Sequence, residues 1–205
     1  MGYYIRVLST SSDCVPLQDL AIALESRNIV AKLDCTVDEN GNWTELVALN
    51  SDNVEVTFLE RNLVEHDSLG AEELAEFVES VPDYKPASAA TWLIKTFKNI
   101  KTIYAFQILS GAYEDNGWDI VHALQNCVFA QAPSICQADN EGFSNFQGAH
   151  ILWQFADDVR DSWTMAVLRG KEWYQFEINL ENLEHRQAFL DGRVPKGVKA
   201  YTSDK

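Results

Sequence analysis

Residues 30–50, VAKLDCTVDENGNWTELVALN, decide how the chain is built. Apolar and polar residues alternate on both sides of Asn40-Gly41, the period of two expected of strands with one wet face. Asn-Gly is the strongest short hairpin signal, because a type I′ turn needs positive φ at both central residues. Pairing across it sets Val37 opposite Thr44, Cys35 opposite Leu46 and Leu33 opposite Ala48 on the face to be buried. Asp34, Thr36, Asp38 and Glu45 fall on the other. Ser51, Asp52 and Asn53 then form a second turn, and 49–60, LNSDNVEVTFLE, extends the hairpin into a three-stranded meander.

The same pattern returns at 163–178, WTMAVLRGKEWYQFEI. Gly170-Lys171 suits a two-residue type II′ turn, which pairs Val167 with Tyr174, Met165 with Phe176 and Trp163 with Ile178 as one apolar stripe. Helical spacing fills the remaining segments. Leu17, Leu20, Ala21 and Leu24 follow Pro16, and Leu74, Phe77, Val78 and Val81 follow the acidic pair Glu72 and Glu73. Ala90, Leu93, Ile94 and Phe97 mark a third helix, with Lys95, Lys98 and Lys101 near its end. Ile120, Val121, Leu124 and Val128 mark a fourth, starting at Asp119. A fifth begins near Asn179 and stops at Gly192 before Pro195.

Strands at 3–9 and 102–109, each followed by a helix and further strands, suggest an α+β fold of two similar β-α-β-β-β-α units. The sheets are expected to be mostly antiparallel, with helices on one face. The boundaries are 1–84, a connecting helix within 85–101, and 102–205; the two halves could also close into one compact domain with pseudo-twofold symmetry. In the second half, 134–155 reads as strands SICQAD and AHILWQF around a nine-residue loop, NEGFSNFQG. Loops longer than a hairpin requires more often carry function.

Bulk properties narrow the partner. The chain carries 31 acidic and 16 basic residues, a net charge of −15. The first hundred residues hold 7 Lys+Arg against 17 Asp+Glu, and the remainder 9 against 14. Such a surface repels nucleic-acid phosphates and anionic lipid, so neither nucleic acid nor a membrane is expected as a partner. The first residues, MGYYIRVLSTSSD, contain no targeting pattern, and no apolar run is long enough to span a bilayer. Cys14, Cys35, Cys127 and Cys136 show no metal-ligand spacing and read as reduced thiols, which places the protein in the cytoplasm.

Catalytic signatures are missing. No G-x-S-x-G, Walker loop or G-x-G-x-x-G occurs, and no zinc or calcium spacing is present, so neither cofactor nor metal is expected. Residues 102–159 contain no lysine or arginine, yet hold many carboxylates and aromatics. Aromatic anchors supply buried area and the surrounding charge steers association. The expected binding surface is therefore Glu114, Asp115, Trp118, Asp139, Glu141, Phe143, Phe146, Asp157 and Asp158.

The expected function is a cytoplasmic protein-binding module, with an inhibitor or immunity-type neutraliser of a basic protein as its concrete form. The alternative is a small-molecule binder or hydrolase-type enzyme using a cleft between the halves, with Asp34, His122, Asp139 and His150 as candidates. A homo-oligomer is compatible with either.

Overall fold

The computed structural model describes residues 2–156 and 158–202. It is an α+β mixture whose sheets are mostly antiparallel. Two compact units emerge: unit 1 comprises 1–72 and 100–134, and unit 2 comprises 73–99 and 135–205. This partition does not follow the sequential division at 84 and 102, because the strand expected to open the second half joins the sheet of unit 1.

In unit 1 the strands are β1 (Tyr3–Ser9), β2 (Lys32–Val37), β3 (Trp43–Leu49), β4 (Glu55–Leu63) and β5 (Thr102–Ile108). Their order across the sheet is β2-β3-β4-β5-β1, every pair antiparallel. Helices α1 (Leu17–Glu25) and α4 (Gly117–Ala130) pack on each other, and α4 also packs on β1 and β4. Leu20 and Leu24 of α1 and Ile120, Val121, Leu124 and Val128 of α4 are buried, the residues that helical spacing put on one stripe. The β1–α1 loop is stapled from below. Thr102 Oγ1 donates to the Ser11 carbonyl at 2.8 Å, Tyr104 Oη to that of Asp13 at 3.0 Å, and Trp43 Nε1 to that of Val15 at 2.8 Å.

The first hairpin keeps its expected pairs Leu33–Ala48 and Cys35–Leu46, but its turn differs. Gly41 takes positive φ and Asn40 does not, and the Gly41 N–H donates to the Asp38 carbonyl at 3.0 Å. This is a type I turn followed by a left-handed glycine, the geometry of a three-residue loop. Asp38 explains the change, because its carboxylate accepts the N–H groups of Asn40 and Asn42, both at 2.8 Å, and holds the longer loop. The register slips by one between Cys35 and Val37, so Val37 faces Trp43 instead of Thr44. Trp43 is then free to turn inward and is fully buried.

Unit 2 holds most of α2 (Leu69–Ser80), α3 (Ala87–Phe97), the hairpin β6 (Ser134–Ala138) and β7 (Gly142–Ser144), β8 (Ser162–Arg169), β9 (Glu172–Asn179), α5 (Leu183–Leu190) and the short β10 (Tyr201–Thr202). The β8–β9 register has all three expected pairs, and Gly170 has the positive φ that a type II′ turn requires at its first central position. Phe155, Met165, Val167, Phe176, Ile178, Leu180 and Phe189 form the core beneath this hairpin. Arg186 closes its rim by donating from Nη2 to the Val159 carbonyl at 2.6 Å and from Nε to that of Leu180, with its guanidinium over the Trp153 ring.

The stretch 134–155 departs from its expected form. A third of the nine-residue loop is itself strand: β7 lies within it and pairs Ala138 with Gly142 and Cys136 with Ser144. Residues 149–155 make no continuous strand and touch their neighbours through single bridges, His150 with Ser144 and Met165, and Trp153 with Lys85. The physical reason is the turn Asp139–Glu141, where Asn140 and Gly142 both adopt positive φ and reverse the chain early. Gly142 also lies close against the 152 backbone, where an added Cβ would sit 2.4 Å from the Leu152 carbonyl oxygen.

Candidate functional site

The expected binding residues separate between the two units. In unit 1, Glu114 and Asp115 are exposed and Trp118 is half-buried. They lie where a 3₁₀ turn (Ser110–Tyr113) meets the start of α4. Trp118 is the hub of an aromatic cluster. Tyr3 and Tyr113 approach it edge-on, with ring centroids at 6.4 and 6.1 Å, and His122 lies tilted at 5.6 Å. Tyr113 is 70% exposed. Glu114, Asp115 and Asp119, its near neighbours along the chain, are all exposed.

Two glycines make this knuckle possible. A Cβ on Gly117 would lie 2.1 Å from the Gly111 carbonyl oxygen, and one on Gly111 would lie 2.6 Å from that of Glu55. The 3₁₀ turn, α4 and β4 are therefore in backbone contact. Asn116 takes the left-handed conformation that turns the chain into the helix. The Asn50 side chain ties the knuckle to the β3–β4 turn, donating to Glu114 Oε2 at 3.3 Å while its own Oδ1 accepts the N–H groups of Asp52 and Val54. The backbone that presents the aromatic pair is thus fixed before any partner docks.

In unit 2 the expected residues divide further. Phe143 is fully buried, with Phe77 at 5.3 Å and Phe97 at 5.7 Å, so it is a core residue and offers no surface to a partner. Asp139 and Glu141 are half-buried in the β6–β7 turn. Phe146 is 37% exposed and meets Trp92 edge-on at 5.2 Å, which in turn meets Trp173 at 5.1 Å. Asp158 is exposed, and Asp157 lies outside the described residues.

No protein family, curated protein or solved structure matches this chain. What the site can do has to come from its own chemistry.

Thiol chemistry finds little support in that chemistry. All four cysteines are free. Burial pushes the Cys35 thiol up, with Asp34 adding to it, and burial does the same to Cys127, so both are held in the less nucleophilic thiol form. Of the four cleft candidates, Asp34 is exposed on β2 and pairs with Lys32 at 3.4 Å, and His122 is exposed beside Trp118. Asp139 sits in the β6–β7 turn. His150 is enclosed by Phe155 and Trp163 at 5.5 and 4.7 Å, and its Nδ1 is buried without a hydrogen-bond partner. Among the described residues no three His, Cys, Asp or Glu side chains converge, and no helix is long and apolar enough to cross a membrane.

Tyr3 and His122 are members of the cluster that spacing along the chain does not reveal, since Tyr3 lies more than a hundred residues from Tyr113. Gly111 and Gly117, either side of Tyr113, are the signal in the sequence that the backbone closes tightly there.

Proposed function

We propose that this protein binds another protein of basic character through the knuckle at the start of α4, with Tyr113 and Trp118 as anchors and Glu114, Asp115 and Asp119 as the charged rim. The observation that carries this reading is a 70% exposed tyrosine set edge-on against a tryptophan within a stretch, 102–159, that contains no lysine or arginine. Exposed aromatics on rigid backbone are the residues that dominate binding energy, and carboxylates at the rim select and steer a cationic partner. Neutralisation of a basic enzyme in the cytoplasm is the concrete form of the proposal.

An internal duplication of pattern belongs to the same reading. Its support lies in unit 1, where β1 followed by α1 and β5 followed by α4 enter one sheet as antiparallel neighbours, with the two helices packed on each other.

The test is affinity capture from native lysate with the wild-type protein and with a variant carrying Tyr113→Ala, Glu114→Lys and Asp115→Lys, each at low and high salt. A basic protein recovered by the wild type at low salt, released at high salt and absent from the variant supports the knuckle. Equal recovery by both proteins overturns it.

A further inference from the structure

β2 stands at one end of the strand order in unit 1, and no strand among the described residues pairs with its outer side. A free edge presents a row of unpaired N–H and C=O groups, and natural sheets guard it with a proline, a bulge in the edge strand or an unanswered lysine. β2 carries none of the three. Its sequence, KLDCTV, has no proline. Between the pairs Cys35–Leu46 and Val37–Trp43 the register takes three steps on β3 and two on β2, so the extra residue belongs to β3 and the outer strand runs on unbroken. Its one lysine, Lys32, is answered by Asp34 at 3.4 Å, with both side chains well exposed.

The edge is also apolar. Leu33 and Cys35 pair with the buried Ala48 and Leu46, yet stand half-exposed themselves where that row reaches the end of the sheet. Val30 is 75% exposed and Val37 46%. Residues 29–37, IVAKLDCTV, have the same character read from either end. Apolar residues stand at 29, 31, 33, 35 and 37, β-branched residues at 30 and 36, and a base and an acid at 32 and 34. An antiparallel copy centred on Leu33 therefore sets Leu33 against itself, Ala31 against Cys35 and Ile29 against Val37 on one face. On the other face it sets Val30 against Thr36 and Lys32 against Asp34. Twofold symmetry makes each of these unlike pairs occur twice, and opposite charges directly across a pair of strands favour the pairing.

We infer that β2 is a self-pairing edge: two copies of this chain join antiparallel through 29–37, centred on Leu33, and the two unit 1 sheets continue into one. The partner is a second copy because the charge order and the apolar row of this segment complement themselves in a single register. No residue of the knuckle takes part, so the two surfaces stand or fall separately.

The test is sedimentation velocity of the full chain over a concentration series, with Lys32→Asp and Asp34→Lys examined separately and then mixed. The wild type should pass from monomer to dimer as concentration rises. Either reversal sets like charges across both symmetric pairs and should weaken dimerisation about tenfold. Mixing the two variants puts an acid opposite a base again, so the mixture should regain the dimer. Both side chains lie in water, so each variant should fold as the wild type does, which circular dichroism checks. Should one fail to fold, hydrogen exchange of the wild type carries the test, with amides 31–35 expected to exchange more slowly at high concentration than at low. A wild type that stays monomeric at every concentration overturns the self-pairing and leaves the edge to a strand of another protein. A dimer that survives either reversal, a mixture that stays monomeric, or exchange at 31–35 that ignores concentration overturns it as well.

Discussion

Two aromatic clusters from the same acidic stretch meet opposite fates. Around Trp118, Tyr113 projects into water from a turn whose backbone is closed by Gly111 and Gly117. Around Phe143, Phe77 and Phe97 shut the ring away completely. In the sequence the two look alike, an aromatic residue within two positions of carboxylates. The difference shows that an anchor is defined by what packs against it, since the same ring that holds a core together can bind a partner only where no neighbour arrives.

The sharpest way to break that contrast is to truncate each ring. Phe143→Ala should cost about 3 to 5 kcal/mol of unfolding free energy, because the void is lined by rings that cannot collapse into it. Chemical denaturation measures this, and a loss below about 1 kcal/mol would mean that Phe143 is not core.

Two histidines sharpen the comparison next. His122 lies exposed beside Trp118, whereas burial pulls His150 from 6.5 down to about 4. Between these values the unfolded chain binds a proton that the native state refuses. Stability therefore falls as pH drops from 6.5 to 4, by about 3 kcal/mol at most. Denaturant midpoints measured across that window should decline less steeply in His150→Phe than in the wild type. Parallel slopes would remove the buried imidazole from the acid response.

Gly117→Ala tests the backbone that presents the exposed cluster. Helix propensity alone favours alanine by about 1 kcal/mol, but the added methyl would meet the Gly111 carbonyl at 2.1 Å. The sign should therefore reverse, with a destabilisation of about 1 to 3 kcal/mol. A stabilised variant in thermal unfolding would show that the knuckle is looser than its contacts imply.

The smallest effect on folding belongs to Tyr113→Ala, which should change stability by less than about 0.5 kcal/mol. Its consequence should appear in partner capture. A large loss of stability would place Tyr113 with Phe143 as a structural ring.

Much of the fold was legible because hairpins are local. The pairs Val167–Tyr174, Met165–Phe176 and Trp163–Ile178 follow from Gly170 and a period of two, and they stand as expected. The helical stripes Leu20–Leu24 and Ile120–Leu124 were equally plain. Spacing failed at Phe143, where a three-residue strand follows the positive-φ reversal at Asn140 and Gly142, and at the Asn40-Gly41 turn, where one carboxylate selected a longer loop. The candidate sites were less legible. Glu114, Asp115 and Trp118 were found by composition, but Tyr3 joins them only through packing between distant segments.

By itself the sequence determined the helical stripes, the β8–β9 register and the acidic net charge, since each depends on residues a few positions apart or on totals. The tertiary structure alone decided that β5 joins the sheet of β1, that Tyr3 meets Trp118, and that Phe143 is sealed while Tyr113 is not. Burial and pairing between distant segments are set by the whole set of packed contacts, and no spacing along the chain encodes them.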